Sequence, residues 1–219
     1  MSIGKSSKRW ASLVSGELTL AKVPLPVDLI LAVIDVESGG KPGLVNQKSG
    51  ASGLMQVMPV VLKDFNKVHS IRYSIDDIRD PQNPLAQIRV GVWILSQFWK
   101  SAYKYLLSRL KVIPMDELLR IADLFYVAGP AATKKKLSKV SPPTFAAIAE
   151  RWPTWNALPH TIRVQKRVSD EKTNFDLTSI SNWLKGNGKG SLDDPLTKKE
   201  GAAIALILLV LGWLLLKKR

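Results

Sequence analysis

The 219-residue sequence has no cysteine and only two histidines. Without cysteine there can be no disulfide, no thiol nucleophile and no thiolate-bound metal, and the redox compartment stays undetermined. His69 and His160 lie far apart in sequence, which argues against a histidine-built metal site; no metal and no cofactor is expected. The N-terminal stretch "MSIGKSSKRWASLVSGELTLAK" is basic but lacks the continuous apolar run of a secretory signal peptide. No segment alternates with the period of two that marks a half-buried strand, and there is no internal repeat. RNP-like, zinc-finger and basic-zipper patterns are missing as well, so nucleic acid is not an expected partner.

What is present is a hydrophobic and strongly basic chain. Hydrophobic residues make up 46%, and 32 Lys and Arg against 18 Asp and Glu give a net charge of +14. A chain of this size, less its C-terminal tail, buries about 70% of its unfolded surface as one domain. The charge fits an anionic cell envelope, nucleic acid or simply a soluble surface. Its densest cluster, "TKKKLSK" at 133–139, reads as either a solvated helix end or an anion-facing patch. The segment "GAAIALILLVLGWLLL", 201–216, carries no charge and is flanked by Lys198, Lys199, Lys217, Lys218 and Arg219. As a helix it would span roughly 24 Å, a gap to the ~30 Å hydrocarbon core that snorkelling lysines and local thinning can close. A core helix would keep a polar stripe; this one has none, so a single transmembrane anchor is expected. Basic residues on both sides leave its orientation open.

The expected organisation is a basic N-terminal segment (1–23), an all-α domain (24–185), a polar linker (186–200), the transmembrane helix (201–216) and a basic tail (217–219). Within the domain, "VPLPVDLILAVIDVE" reads as a helix from about 26, stopped by Gly39, Gly40 and Pro42. A loop and a short helix around 54–65 follow, then a turn-rich connection over 72–85. The clearest helix is 86–111, where Ile88, Val92, Leu95, Trp99, Ala102, Leu106 and Leu110 form one stripe. Others are expected over 115–128, 143–151, 159–171 and 176–184.

Glu37 closes the apolar run of the first helix. Asp28 and Asp35 are seven apart and share a face, whereas Glu37 lies ~200° round from Asp35, with Ile34, Val33 and Ile30 as neighbours. The aspartates thus mark a polar, solvated side and Glu37 the apolar side. If that side packs inward, desolvation favours the protonated acid, as a general acid requires. The helical geometry alone leaves a frayed, solvated Glu equally open.

The stretch that follows, "ESGGKPGLVNQKSGASGLMQVMP" (37–59), resembles the signature of lytic transglycosylases of the goose-type lysozyme-like fold. Glu37-Ser38, Pro42, Gly50-Ala51, Gly53-Leu54-Met55-Gln56 and Met58-Pro59 match it in order. "IADLFYVAGP" (121–130) is similar to the family's Ala-Tyr-Asn-Ala-Gly-Pro block through Tyr126, Ala128, Gly129 and Pro130, and "RDPQNPLAQIRVGVWIL" (79–95) to the segment between. Asn46 stands where the family commonly has Ser, Phe125 where it has Ala, and Val127 where it has Asn. The resemblance spans roughly 24–137.

That resemblance implies an all-α, lysozyme-like fold and cleavage of the β-1,4 bond between N-acetylmuramic acid and N-acetylglucosamine in peptidoglycan. Glu37 would be the catalytic residue, first donating a proton to the leaving oxygen and then removing one from the muramyl 6-hydroxyl, which closes a 1,6-anhydro ring. It implies that Tyr126 orients Glu37, and that Asn46, Gln56 and Met58 line the sugar site. Ser38 is either a substrate contact or a local backbone partner, and Leu54 and Met55 read as core. Two alternatives remain: a hydrolytic muramidase on the same fold, and an inactive membrane-anchored virion protein. An apolar segment at the C-terminus with no visible export signal leads to an expected location in a phage particle. The expected partners are peptidoglycan strands, a membrane and other virion proteins.

Overall fold

The computed structural model describes residues 2–186, and the anchor expected at 201–216 lies outside them. Among the described residues the regular structure is helical: α1 (Lys5–Lys8), α2 (Ala11–Leu20), α3 (Val27–Ser38), α4 (Pro59–Val68), α5 (Ile75–Arg79), α6 (Pro84–Leu107), α7 (Met115–Ala128), α8 (Pro130–Leu137), α9 (Phe145–Arg151), α10 (Leu158–Asp170) and α11 (Leu177–Gly186). Extended pairing among them is limited to the isolated bridges Val45–Ser52 and Ser52–Val57. No described helix is long and apolar enough to cross a membrane.

Contacts divide the chain into two compact units, one formed by the residues up to Phe98 with Pro159–Asn174, the other by Trp99–Leu158 with the described residues from Phe175 onward. The first unit is built round α3. Leu29, Ile30, Leu31, Ala32, Val33 and Ile34 are all buried, so this helix is apolar on nearly every side. A helix of that kind must be wrapped by other elements. The basic N-terminal residues supply part of the wrapping, since α1 and α2 both pack on α3 and bury Ile3, Val14 and Leu18. Arg89 of α6 grips Glu17 of α2 through Nε and Nη2, both 2.7 Å from the carboxylate, and donates to the Tyr73 hydroxyl at 2.9 Å. A second apolar cluster joins Val57, Leu62, Phe65, Ile78, Ala86 and Val90.

Element boundaries depart from expectation where side chains intervene. The helix expected from 54 starts at Pro59, because Ser52 and Val57 exchange backbone hydrogen bonds of 3.1 and 2.8 Å and hold 52–57 in a tight turn. The connection over 72–85 contains α5, opened by a capping box. In it Asp77 N–H donates to Ser74 Oγ at 3.1 Å, and Ser74 N–H donates to the Asp77 carboxylate at 2.6 Å.

In the second unit, α7 packs with α8 and α9. Glu117 of α7 is buried, and its carboxylate accepts from the Phe145 N–H at the start of α9. Burial pushes this carboxyl above its ordinary value, against the pull of that N–H and of Arg120.

Candidate active site

The site is assembled where α3 ends. Gly39 caps the helix in the left-handed conformation, with φ 61°, and its N–H donates to the Asp35 carbonyl at 3.1 Å. Gly40 follows at φ 76°, and a Cβ there would stand 2.5 Å from the Ser6 carbonyl oxygen. Trp10 Nε1 and Arg9 Nη2 donate to the Gly40 carbonyl at 3.1 and 3.2 Å. The glycine pair "GG" therefore serves two needs, a left-handed exit and close approach of the N-terminal segment.

From there the loop folds back along the helix end. Ser38 is buried; its hydroxyl lies 2.8 Å from the Leu54 carbonyl and 3.0 Å from that of Ile34, and it accepts from Gly40 N–H at 3.2 Å. These bonds are all to backbone, so Ser38 ties loop to helix. Asn46 is exposed and organises the loop from within: its side-chain oxygen accepts from the Lys48 and Ser49 N–H groups at 3.0 and 3.2 Å. Leu54 and Met55 are fully buried, as expected of core. Gln56 sits at φ 45°, with Nε2 donating to the Leu44 and Gly53 carbonyls at 3.2 and 3.1 Å. Met58, next to α4, remains 37% exposed. Glu37, Ser38, Asn46, Gln56 and Met58 thus all belong to the first unit, on one helix end and its loop, while Tyr126 is half-buried near the end of α7 in the second.

The Glu37 side chain is 19% exposed, and its Oε1 lies 3.1 Å from Nε2 of His160 on α10. The group is thus largely withdrawn from water, in keeping with the apolar face assigned to it. The other carboxylate nearby behaves differently from expectation. Asp35 is not solvated: its side chain is 11% exposed and pairs with Arg167 of α10. It also accepts from Ser7 Oγ at 2.8 Å and Gly4 N–H at 3.2 Å. The reason is that α1 and α10 cover the side of α3 that a lone amphipathic helix would turn to water. Burial raises the Asp35 carboxyl, but Arg167, Ser7 and the Gly4 N–H together outweigh it and hold the group below its ordinary value. Asp35 is therefore locked as a structural anion. Asp28, nine residues before Glu37, is roughly 13.5 Å away along the helix. Among the described residues no group of three or more potential ligands could hold a metal ion.

Residue-level reading of the sequence missed two polar groups here. His160 meets Glu37 across 123 positions, and Gln87 of α6, fully buried, accepts from Leu54 N–H at 2.9 Å and donates to the Asp80 carbonyl at 2.9 Å. Gln87 also explains Gly53, at φ 76°, where a Cβ would approach the amide to 2.6 Å. A polar residue inside the apolar stripe of α6 was the one available signal.

Chemically, the arrangement offers one shielded carboxyl at the rim of a loop whose shape is fixed by its own hydrogen bonds, with the next carboxylate on the helix already neutralised. The model of the transglycosylase SLT domain matches residues 20–149, a span containing α3, the loop, α6 and α7. A search of curated proteins returned no match. With more than half its length covered by that model, the chain belongs to the transglycosylase SLT domain family, and its activity is of the lytic transglycosylase type, directed at peptidoglycan.

Proposed function

We propose that this protein cleaves the N-acetylmuramic acid–N-acetylglucosamine β-1,4 bond without water, releasing 1,6-anhydromuramyl ends, with Glu37 as both acid and base. The observation that carries this reading is that α3 places no second uncommitted carboxyl beside Glu37. Ordinary glycosidases place two carboxyl groups about 5–10 Å apart, one of them acting on water or on the sugar itself. Here Asp35 is committed to Arg167, Ser7 and Gly4, and Asp28 is too distant along α3. A single carboxyl suffices if the substrate brings its own nucleophile. The muramyl 6-hydroxyl is covalently held near the anomeric carbon, so the proximity advantage is internal to the sugar. Protonation of the glycosidic oxygen by Glu37 expels the leaving sugar. The resulting carboxylate then takes the hydroxyl proton as the anhydro ring closes, which restores the starting state.

The loop supports this role by its rigidity. Ser38, Asn46, Gln56 and Gln87 hold its backbone through side-chain hydrogen bonds, and Gln56 and Met58 are assigned the lining of the sugar site. Tyr126 is assigned the orienting role that the motif carries. Digestion of purified peptidoglycan, with the released muropeptides weighed by mass spectrometry, tests the proposal. Wild type is expected to yield anhydro ends, and Glu37→Gln to lose at least ~100-fold in rate, the lower bound for a general acid. Reducing ends in place of anhydro ends would assign a muramidase instead. We further propose delivery in a phage particle and attachment to a membrane through 201–216, for which the charge-free apolar run between lysines is the support. Detection of the protein in purified particles checks the first of these.

A further inference from the structure

We propose that His160 is a positioning residue for Glu37, holding Oε1 so that the opposite oxygen meets the sugar. The inference rests on the reading of Glu37 as acid and base. His160 Nε2 stands 3.1 Å from Glu37 Oε1 without the alignment of a full hydrogen bond, with side-chain exposures of 9% and 19%, so the contact is sheltered from water and a small rotation of either side chain completes it. The residue lies beyond the matched span of 20–149, so the shared family pattern does not account for it.

Two physical features fit this role. Glu37 occupies the last turn of α3, at the partial negative end of the helix dipole. His160 is in the first turn of α10, at the end of opposite polarity. When Glu37 gives up its proton, an N–H from the ring offsets the unfavourable end of its own helix. The second feature is that one tautomer serves the whole cycle. An Nε2–H donates to Oε1 whether Oε1 is the carbonyl oxygen of the acid, with the proton on the opposite oxygen, or part of the carboxylate left after proton transfer. Glu37 passes through both forms in one catalytic cycle, and the same N–H satisfies each without moving. The remaining charged groups on these helices are engaged elsewhere, exposed or distant: Asp35 is bound to Arg167, Lys166 pairs with Asp170 at 3.6 Å, Arg163 is exposed, and Asp28 lies nine residues back along α3.

The test compares full-length wild type with His160→Gln, His160→Asn and His160→Leu on soluble glycan strands, with thermal melting alongside. A glutamine amide reaches the Nε2 position and can donate or accept; asparagine is too short, and leucine fills the space without polarity. The expected result is near-wild-type kcat for the Gln variant. For Asn and Leu, kcat falls by roughly ten-fold or more, less than the ~100-fold at stake in the acid itself, while KM stays within two-fold. A wild-type kcat in the Leu and Asn variants, or a loss in KM alone, overturns the proposal. So does a Gln variant as slow as Asn with an unchanged melting temperature. If Leu does not fold, the Gln and Asn pair decides. Wild type without any product overturns both this inference and the function it rests on; an active wild type with an indifferent position 160 overturns only the inference.

Discussion

Asp35 and Glu37 stand two residues apart on the same helix and have opposite fates, decided by what approaches each. Asp35 receives a guanidinium, a hydroxyl and a backbone N–H, whereas Glu37 is approached by one imidazole nitrogen. The lowered Asp35 carboxyl makes a pH-dependent contribution to stability whose sign follows from linkage. The group is depressed on folding, so its stabilisation is complete above the unfolded value of ~3.9 and is lost as pH falls through the lower folded value. Asp35→Asn is therefore expected to cost about 2 kcal/mol at pH 7, as for other hydrogen bonds to charged groups. The difference from wild type should begin to shrink below about pH 4 and close only below the lower folded value, so denaturant melts at pH 7, 5 and 3 would show a smaller difference at pH 3. A constant difference across that range would mean that Asp35 is not ionised in its pair. Because Asp35 sits next to Val36 and Glu37, activity should fall with it even where the variant remains folded.

At the scale of elements, the informative feature is how α3 is clothed. A helix with six consecutive buried residues, Leu29 to Ile34, cannot stand on one packed face. It needs neighbours around it, and α1, α2 and α10 bring them from the two ends of the described chain. The link between α2 and α6 is the most exposed to test. Glu17 is 4% exposed, and its fork to Arg89 satisfies both oxygens. Removing the cation leaves a buried anion without its partner, so Arg89→Ala is expected to destabilise by about 3–5 kcal/mol. Chemical denaturation measures this directly. A double change of Glu17→Gln with Arg89→Met should recover much of the loss, since the buried charge then disappears with its partner. The basic N-terminal residues thus act as a structural part of the first unit, whatever else their charge attracts.

At the scale of the molecule, the net charge of +14 and the apolar run at 201–216 bear on where the enzyme works. If that run anchors it, full-length protein should float with lipid vesicles in a density gradient and stay bound in high salt. A chain ending at residue 186 should lose the salt-resistant fraction and keep only attraction to anionic lipid, screened as the Debye length shrinks. Equal flotation of the two chains would remove the anchor from consideration. The sequence by itself determined the helical class and the place and extent of α3 and α7, because these depend on periodicity, helix stops and short contiguous motifs. It also marked Leu54 and Met55 as core. The tertiary structure decided the rest: Asp35 buried instead of solvated, Ser38 tied to backbone, Gln87 pinning the loop 33 residues away, and His160 set against Glu37. Local patterns record only which faces of an element are apolar. Which polar group fills a gap depends on side chains brought together from distant positions, and no spacing within the chain encodes that meeting.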